Sequence, residues 1–400
     1  MKTFFDNLTS VQQKLVIAIL AILVYAISTT LSYSLFAPVV SKSGSADTQQ
    51  AALPGSTGMV EEDPSLPRNN ECVTNGSMQT DNAKAYWENR RPLAVMIENH
   101  QESRPQSGLS SADVVYEAVA EGGITRFMGV FYCGRNFELN DIQVGPVRSA
   151  RTYFLDWLSE YDALYAHVGG ANTPGPANAL GQIIDYKIKD LNQFSIGFPT
   201  FWRDYQRLGR AVATEHTMYS TTKKLWDVAE KKGWTAVDQA GVRWDKGFVP
   251  WKFKNDAPGG IEAKTITVNF WESQGDYKVV WTYDANCNCY QRENGGQPHK
   301  DLNTDKVLAP KVVIIRYQNE SRANDGYENN AHMLYGNKGP QTPSGEALIF
   351  QDGKVIKGTW NKKNRLARET FLDASGKEIE LNRGQIWLQT VPAGTDAVYQ

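Results

Sequence analysis

From Leu15 to Pro38 the chain carries no charged side chain, and most of the stretch is Leu, Ile, Val, Ala or Phe. About 20 apolar residues suffice to cross a bilayer as a helix, because a helix satisfies its own backbone hydrogen bonds. No other feature restricts the chain as much: the residues beyond Pro38 fold on one side of a membrane. Lys2 and Lys14 precede the run and favour a cytoplasmic N-terminus, with Asp6 offsetting one charge. The run is longer than a secretory h-region and shows no clear small-x-small cleavage site. It therefore reads as a transmembrane anchor (15–38) behind a short cytoplasmic N-terminus (1–14), in preference to a cleaved signal segment. Both readings export the rest of the chain. No cysteine lies here, so a lipid on an N-terminal Cys is excluded.

Export bears on the four cysteines, Cys72, Cys133, Cys287 and Cys289. An even count outside the cytoplasm points to disulfides, with Cys72–Cys133 and Cys287–Cys289 the preferred pairing. The second needs a turn at "DANCNCY", because residues two apart in a regular strand are awkwardly separated for a bridge. A zinc site needs a second ligand pair at suitable spacing; only His299 is near Cys287 and Cys289, so no metal is expected.

Residues 39–84 are rich in Ser, Gly, Pro and acids in their first part and read as a flexible linker. Beyond them, 41% hydrophobic and 22% charged residues suit folded domains with real cores. Leu93–Ile97 is a continuous apolar run, as in a strand buried on both faces. "ADVVYEAVAEGGITRFMGVFYC" reads as a hairpin turning at Gly122-Gly123. Its expected register puts Glu117, Val119 and Glu121 on one face, with Arg126 opposite Val119 and diagonal to both acids. "STTKKLWDVAEKKG" has a Ser/Thr start and a Gly233 stop, so it reads as a helix. After about residue 235 strand-like runs dominate, with Asp352-Gly353 as a hairpin turn. The expectation is a mixed α/β N-terminal domain (85–234) followed by a mainly antiparallel β domain (235–400).

The stretch "VGPVRSARTYFLDWLSEYD" carries the most suggestive chemistry. Phe154, Trp157, Leu158 and Tyr161 recur at helical spacing, with Ser149 the expected N-cap and Arg151 in the first turn. A cation there faces the positive end of the helix dipole and needs a negative neighbour. A phosphate or carboxylate ligand would supply it, and so would Glu117, Glu121, Glu98 or Asp113 of the same chain. The candidate ligand-binding residues are Arg148, Ser149, Arg151, Glu121, Arg126 and His167. Glu98 and His216 are the candidate acid or base. Glu117 and Glu121 lie about 13 Å apart on an ideal strand, too far for a glycosidase pair, which needs about 5 to 9.5 Å. His167, His216 and His299 also fit structural, hydrogen-bonded roles. No P-loop, H-E-x-x-H, G-x-S-x-G or C-x-x-C is present, and no cofactor is implied. A net charge of -2, from 42 basic and 44 acidic residues, excludes a dedicated nucleic-acid binder.

Several longer stretches resemble the YerB-like family. They are "RPLAVMIENHQESRPQSGLSSADVVYEAVAEGGITRFMGVF", "VGPVRSAR" and "HVGG" in the first half. In the second they are "YQRENGGQPHKD", "GEALIFQDGKVIKGTWNK" and "LNRGQIWLQTVP". The resemblance covers roughly residues 86 to 394. The family comprises bacterial exported proteins, often lipoproteins, built from paired domains of unknown function. It implies a two-domain, envelope-associated protein and supplies no reaction. This chain departs in lacking a lipobox cysteine, so its attachment would be by a helix. Three readings remain open: a membrane-anchored protein binding an anionic cell-wall polymer or an envelope protein; an envelope hydrolase or phosphotransferase using the same residues; or a purely structural protein.

Overall fold

The computed structural model describes Gln12, residues 62–134, Phe137, 139–322, 332–333 and 344–400. The expected anchor at 15–38 lies outside the described residues. No helix among the described residues is long and apolar enough to cross a membrane.

One ten-stranded sheet organises the body. Its strands in chain order are β1 (Leu93–Glu98), β2 (Val114–Glu121), β3 (Ile124–Phe131), β4 (Leu164–His167), β5 (Lys189–Asn192), β6 (Val312–Gln318), β7 (Ser344–Gln351), β8 (Lys354–Asn361), β9 (Thr370–Asp373) and β10 (Ile386–Pro392). Across the sheet they run β9-β8-β7-β6-β10-β2-β3-β1-β4-β5. The expected boundary at 234/235 is therefore a change of composition within one sheet. β10 pairs in parallel with both β6 and β2, so backbone hydrogen bonds cross from one half of the chain to the other. Described residues from 62 onward belong to one compact unit.

The apolar run in β1 is buried along its whole length. Leu93, Val95 and Ile97 enter one core with Leu225, Trp226 and Trp281. Ala94 and Met96 enter the other with Phe154, Trp157 and Leu388. Alternation sends successive side chains to opposite faces, and both faces are covered. A helix α1 (Asp81–Trp87), a helix α2 (Thr152–Leu158) and a helix α3 (Thr222–Lys231) pack around this sheet. Thr221 caps α3 by accepting from Lys224 N, and Gly233 follows at φ +73°. A second, five-stranded sheet of 265–268, 279–284, 289–294, 297–298 and 397–399 contributes Ile266, Val268, Trp281 and Tyr290 to the first core.

Order begins well before residue 85, which corrects the linker boundary. Cys72 is bonded to Cys133, Asn75 Nδ2 donates to Asp113 at 3.1 Å, and Thr80 caps α1. A covalent link and buried polar contacts hold this segment where composition alone signals a tether. Cys287 is bonded to Cys289 across a turn in which Asn288 has φ +49°.

The hairpin departs from the expected register. Arg126 lies opposite Ala118, and an irregularity between Val119 and Glu121 sets Glu121 against Ile124. A bulge of this kind reverses alternation beyond it. Glu117 therefore shares a face with Val115 and Val119, whereas Glu121 joins Arg126 on the other. Glu117 pairs with Arg292 at 2.9 Å and accepts from Trp387, Gln389 and Thr125. Asp113 is likewise removed from the Arg148–Arg151 stretch: it accepts from Tyr132 N and Cys133 N at 2.7 and 2.9 Å.

Candidate functional site

Strands β6, β10, β2, β1, β4 and β5 all run in one direction. Their carboxyl ends, at Gln318, Pro392, Glu121, Glu98, His167 and Asn192, share one edge of the sheet. In open α/β sheets ligands commonly bind outside such carboxyl ends. The "VGPVRSAR" segment threads along the same edge. Arg148 N donates to Met96 O, Val168 N donates to Arg148 O, and Ala150 N donates to Gly169 O. Residues 147–150 thus fit between the ends of β1 and β4.

This threading corrects the expected cap. The N-cap of α2 is Arg151, in extended conformation at φ -135° and ψ 149°, and it makes no side-chain cap. Ser149 lies two residues too early; it offers its carbonyl to Arg126 Nη1 at 3.0 Å. The Arg151 side chain returns to the β2 end, where it meets Glu121.

Two carboxylates organise the cations. Glu121 takes Arg126 on one oxygen at 3.0 Å and Arg151 on the other. Burial alone raises the Glu121 carboxyl, but Arg126, Arg151 and Arg148 outweigh it and hold it at about 2. Glu98, at the end of β1, takes Arg148 Nε at 3.0 Å and His216 Nδ1 at 2.8 Å. The Glu98 hydrogen bond raises the His216 imidazole against the opposing effect of burial. His216 Nε2 lies 3.6 Å from Glu102, and its ring stacks on His100 at 4.7 Å.

The edge is graded in exposure. Arg126 is buried with a side chain only 2% exposed, whereas Arg148 is 23% and Glu121 29% exposed. Donors outnumber acceptors: Arg126 Nε, Arg151 Nε and the Tyr165 hydroxyl are buried with no hydrogen-bond partner among the described residues. Burial pushes the Tyr165 hydroxyl far above its ordinary value, although Arg126 and Arg151 act in the opposite sense.

His167 is fixed in place: Nδ1 meets Gly169 O at 2.7 Å and Nε2 meets Asp190 at 2.8 Å. Gly169 O also accepts from Ala150 N, so His167 braces the arginine segment from behind. His299 lies in the core instead of an open turn. It accepts from Arg292 Nε at 2.9 Å and meets Gln106 at 2.7 Å; burial and the neighbouring guanidinium hold it far below its ordinary value. The edge thus brings together Glu98, Glu121, Arg126, Arg148, Ser149, Arg151, His167 and His216. The disulfides stand apart from it. Cys133 follows β3, whose end pairs with the start of β1, and Cys287 and Cys289 open the 289–294 strand of the second sheet. Sequence reasoning missed Glu102, His100, Tyr165 and Asp190. "ENHQE" places two of them within four residues of Glu98, a local signal for both.

Residues 76–235 match the N-terminal domain, and residues 266–388 the C-terminal domain, of a protein of unknown function, DUF3048. The chain is similar to "Putative lipoprotein YerB" of Bacillus subtilis (strain 168), 29% identical over 306 residues, covering 76% of this chain and 82% of the relative. The crystal structure of YerB from Bacillus subtilis superimposes with a TM-score of 0.66 at 26% identity, covering 82% of this chain and 100% of that one. The chain belongs to the YerB-like family of paired DUF3048 domains.

Proposed function

We propose that this protein is exported, attached to the membrane, and binds an anionic envelope ligand at the carboxyl edge through Arg148 and Arg151. The uncharged Leu15–Pro38 segment and the lipoprotein name carried by the relative support the location. The observation that carries the binding reading is the gathering of Arg126, Arg148 and Arg151 around one partly exposed carboxylate, Glu121. Guanidinium groups bind carboxylate and phosphate through paired, charge-assisted hydrogen bonds. Here they stand beside unsatisfied donors at the edge where α/β sheets take ligands. The full chain in detergent should bind a glycerol phosphate oligomer, and the Arg148→Ala, Arg151→Ala double variant should bind it about tenfold or more weakly. Equal binding by both proteins would remove the arginines from the account.

A hydrolase or phosphotransferase is the second reading. Glu98 orients the His216 ring through Nδ1, as a carboxylate orients a general acid or base, and Arg148 lies on the same carboxylate. Release of inorganic phosphate or of a shortened oligomer in the same assay, lost in His216→Gln, would favour it.

A further inference from the structure

Interior guanidinium groups of this chain generally meet carboxylates. Arg292 meets Glu117, Arg316 meets Glu369 and Arg368 meets Glu160. Arg104 does not. Its Nε donates to Asn99 O and Oδ1 at 3.2 and 3.1 Å, and its Nη2 donates to Asn99 O at 3.0 Å. These are neutral acceptors, all contributed by one residue. The guanidinium also stacks over the Tyr277 ring, with 5.0 Å to the centroid. It is thus oriented on two sides, while burial, the larger effect, lowers its hold on the proton.

The remaining side opens into a cavity of about 440 Å³ lined by Arg104, Pro105, Asp276, Asn294, Gly295 and Pro298, among others. Gly295 makes this approach possible. At φ +60° it turns the 289–298 hairpin, and a Cβ there would stand 3.1 Å from Arg104 Nη1 and 2.6 Å from Asp276 O. Asp276 is exposed and, among the described residues, forms no salt bridge or side-chain hydrogen bond. Lys300, the other cation on this wall, is already paired with Asp305 at 3.0 Å. The cavity therefore offers one oriented guanidinium and one unpaired carboxylate, with proline walls between β-rich halves of the molecule. Its volume lies in the range of small-ligand sites, about 300 to 1,000 Å³.

We propose that this cavity binds a small zwitterion, an amino acid or short free peptide, with its carboxylate on Arg104 and its ammonium group on Asp276. Arg104 and Asp276 form no salt bridge among the described residues, although the carboxylate's charge reaches the guanidinium, and two opposite charges held apart in this way match a ligand carrying both. A simple phosphate would satisfy Arg104 and meet repulsion from Asp276. Neither Arg148 nor Arg151 lines this cavity.

Calorimetric titration of the full chain with alanine, dialanine, N-acetyl-dialanine and dialanine amide tests this. Binding of dialanine or alanine is expected, with the acetylated and amidated forms weaker by about tenfold or more, since each loses a charged hydrogen bond. Asp276→Asn, at an exposed position, should keep the fold and lose the preference for a free amine over its acetylated form. Arg104→Lys should lower affinity for every carboxylate while retaining the charge. The Arg148→Ala, Arg151→Ala variant should bind dialanine as the parent does. Absence of binding by the parent at millimolar ligand would overturn the proposal. So would affinity unchanged in both Asp276→Asn and Arg104→Lys, or equal affinity for the free and blocked peptides.

Discussion

Arg126 Nη2 lies 3.0 Å from Glu121 Oε1, and the other oxygen of that carboxylate is taken by Arg151. The cation beside the helix N-terminus is therefore tolerated because a bulge in β2 turns Glu121 toward it. The same carboxylate serves two arginines, so neither is its sole partner.

That redundancy sets the cost of substitution. Arg151→Ala leaves Glu121 paired with the buried Arg126 and should cost about 1 kcal/mol or less, as for other partly exposed pairs. Arg292→Ala strips the fully buried Glu117 of its only salt-bridge partner among the described residues and should cost about 3 to 5 kcal/mol. Urea unfolding of the two variants measures both. Equal costs would mean that the edge arginines are as structural as the buried one.

Much of this arrangement is legible in the residues, and the departures have physical causes. The β1 run, the Gly122-Gly123 and Asp352-Gly353 turns and the capped helix α3 stem from local chemistry, and local chemistry is what a single sequence displays. The bulge at Val119–Glu121 is invisible to alternation, because it is a one-residue fault in the pattern that alternation assumes. Arg292 lies 175 residues from Glu117, and β10 enters the sheet between β6 and β2. Such pairings depend on the whole fold. Glu98 and His216 stand out in the sequence as separate acid–base candidates; their contact spans 118 residues and only the fold reveals it.

The His216–Glu98 contact makes stability depend on pH. The His216 imidazole is raised in the folded protein, so folding favours its protonated form. Its contribution is complete below the unfolded value of about 6.5 and is lost as pH rises through the higher folded value. The stability gap between the parent and His216→Gln should accordingly be larger at about pH 5.5 than at about pH 9. A gap that stays constant or widens with rising pH would contradict this assignment.

The Cys72–Cys133 bridge closes a loop of 61 residues between the N-terminal segment and the end of β3. Loop-closure entropy predicts that the Cys72→Ser, Cys133→Ser double variant loses about 4 kcal/mol. Denaturant unfolding measures the loss. Non-reducing peptide mapping of the parent should recover both linked pairs; four free thiols would contradict the pairing.

The exported location is tested by protease added to intact spheroplasts, which should degrade residues beyond the Leu15–Pro38 segment. Full protection of the C-terminal half would place the protein on the other side of the membrane and remove the envelope ligand from consideration.

If Glu121 occupies the arginines in place of an external anion, it competes with the ligand. The direct measurement is the affinity of the full chain for a glycerol phosphate oligomer in the parent and in Glu121→Gln. Removing the competing charge while keeping the side chain's shape should tighten binding about tenfold, and added salt should weaken it in both proteins. No binding by either protein, or unchanged or weaker binding by a folded Glu121→Gln variant, would contradict an anion site at the carboxyl edge.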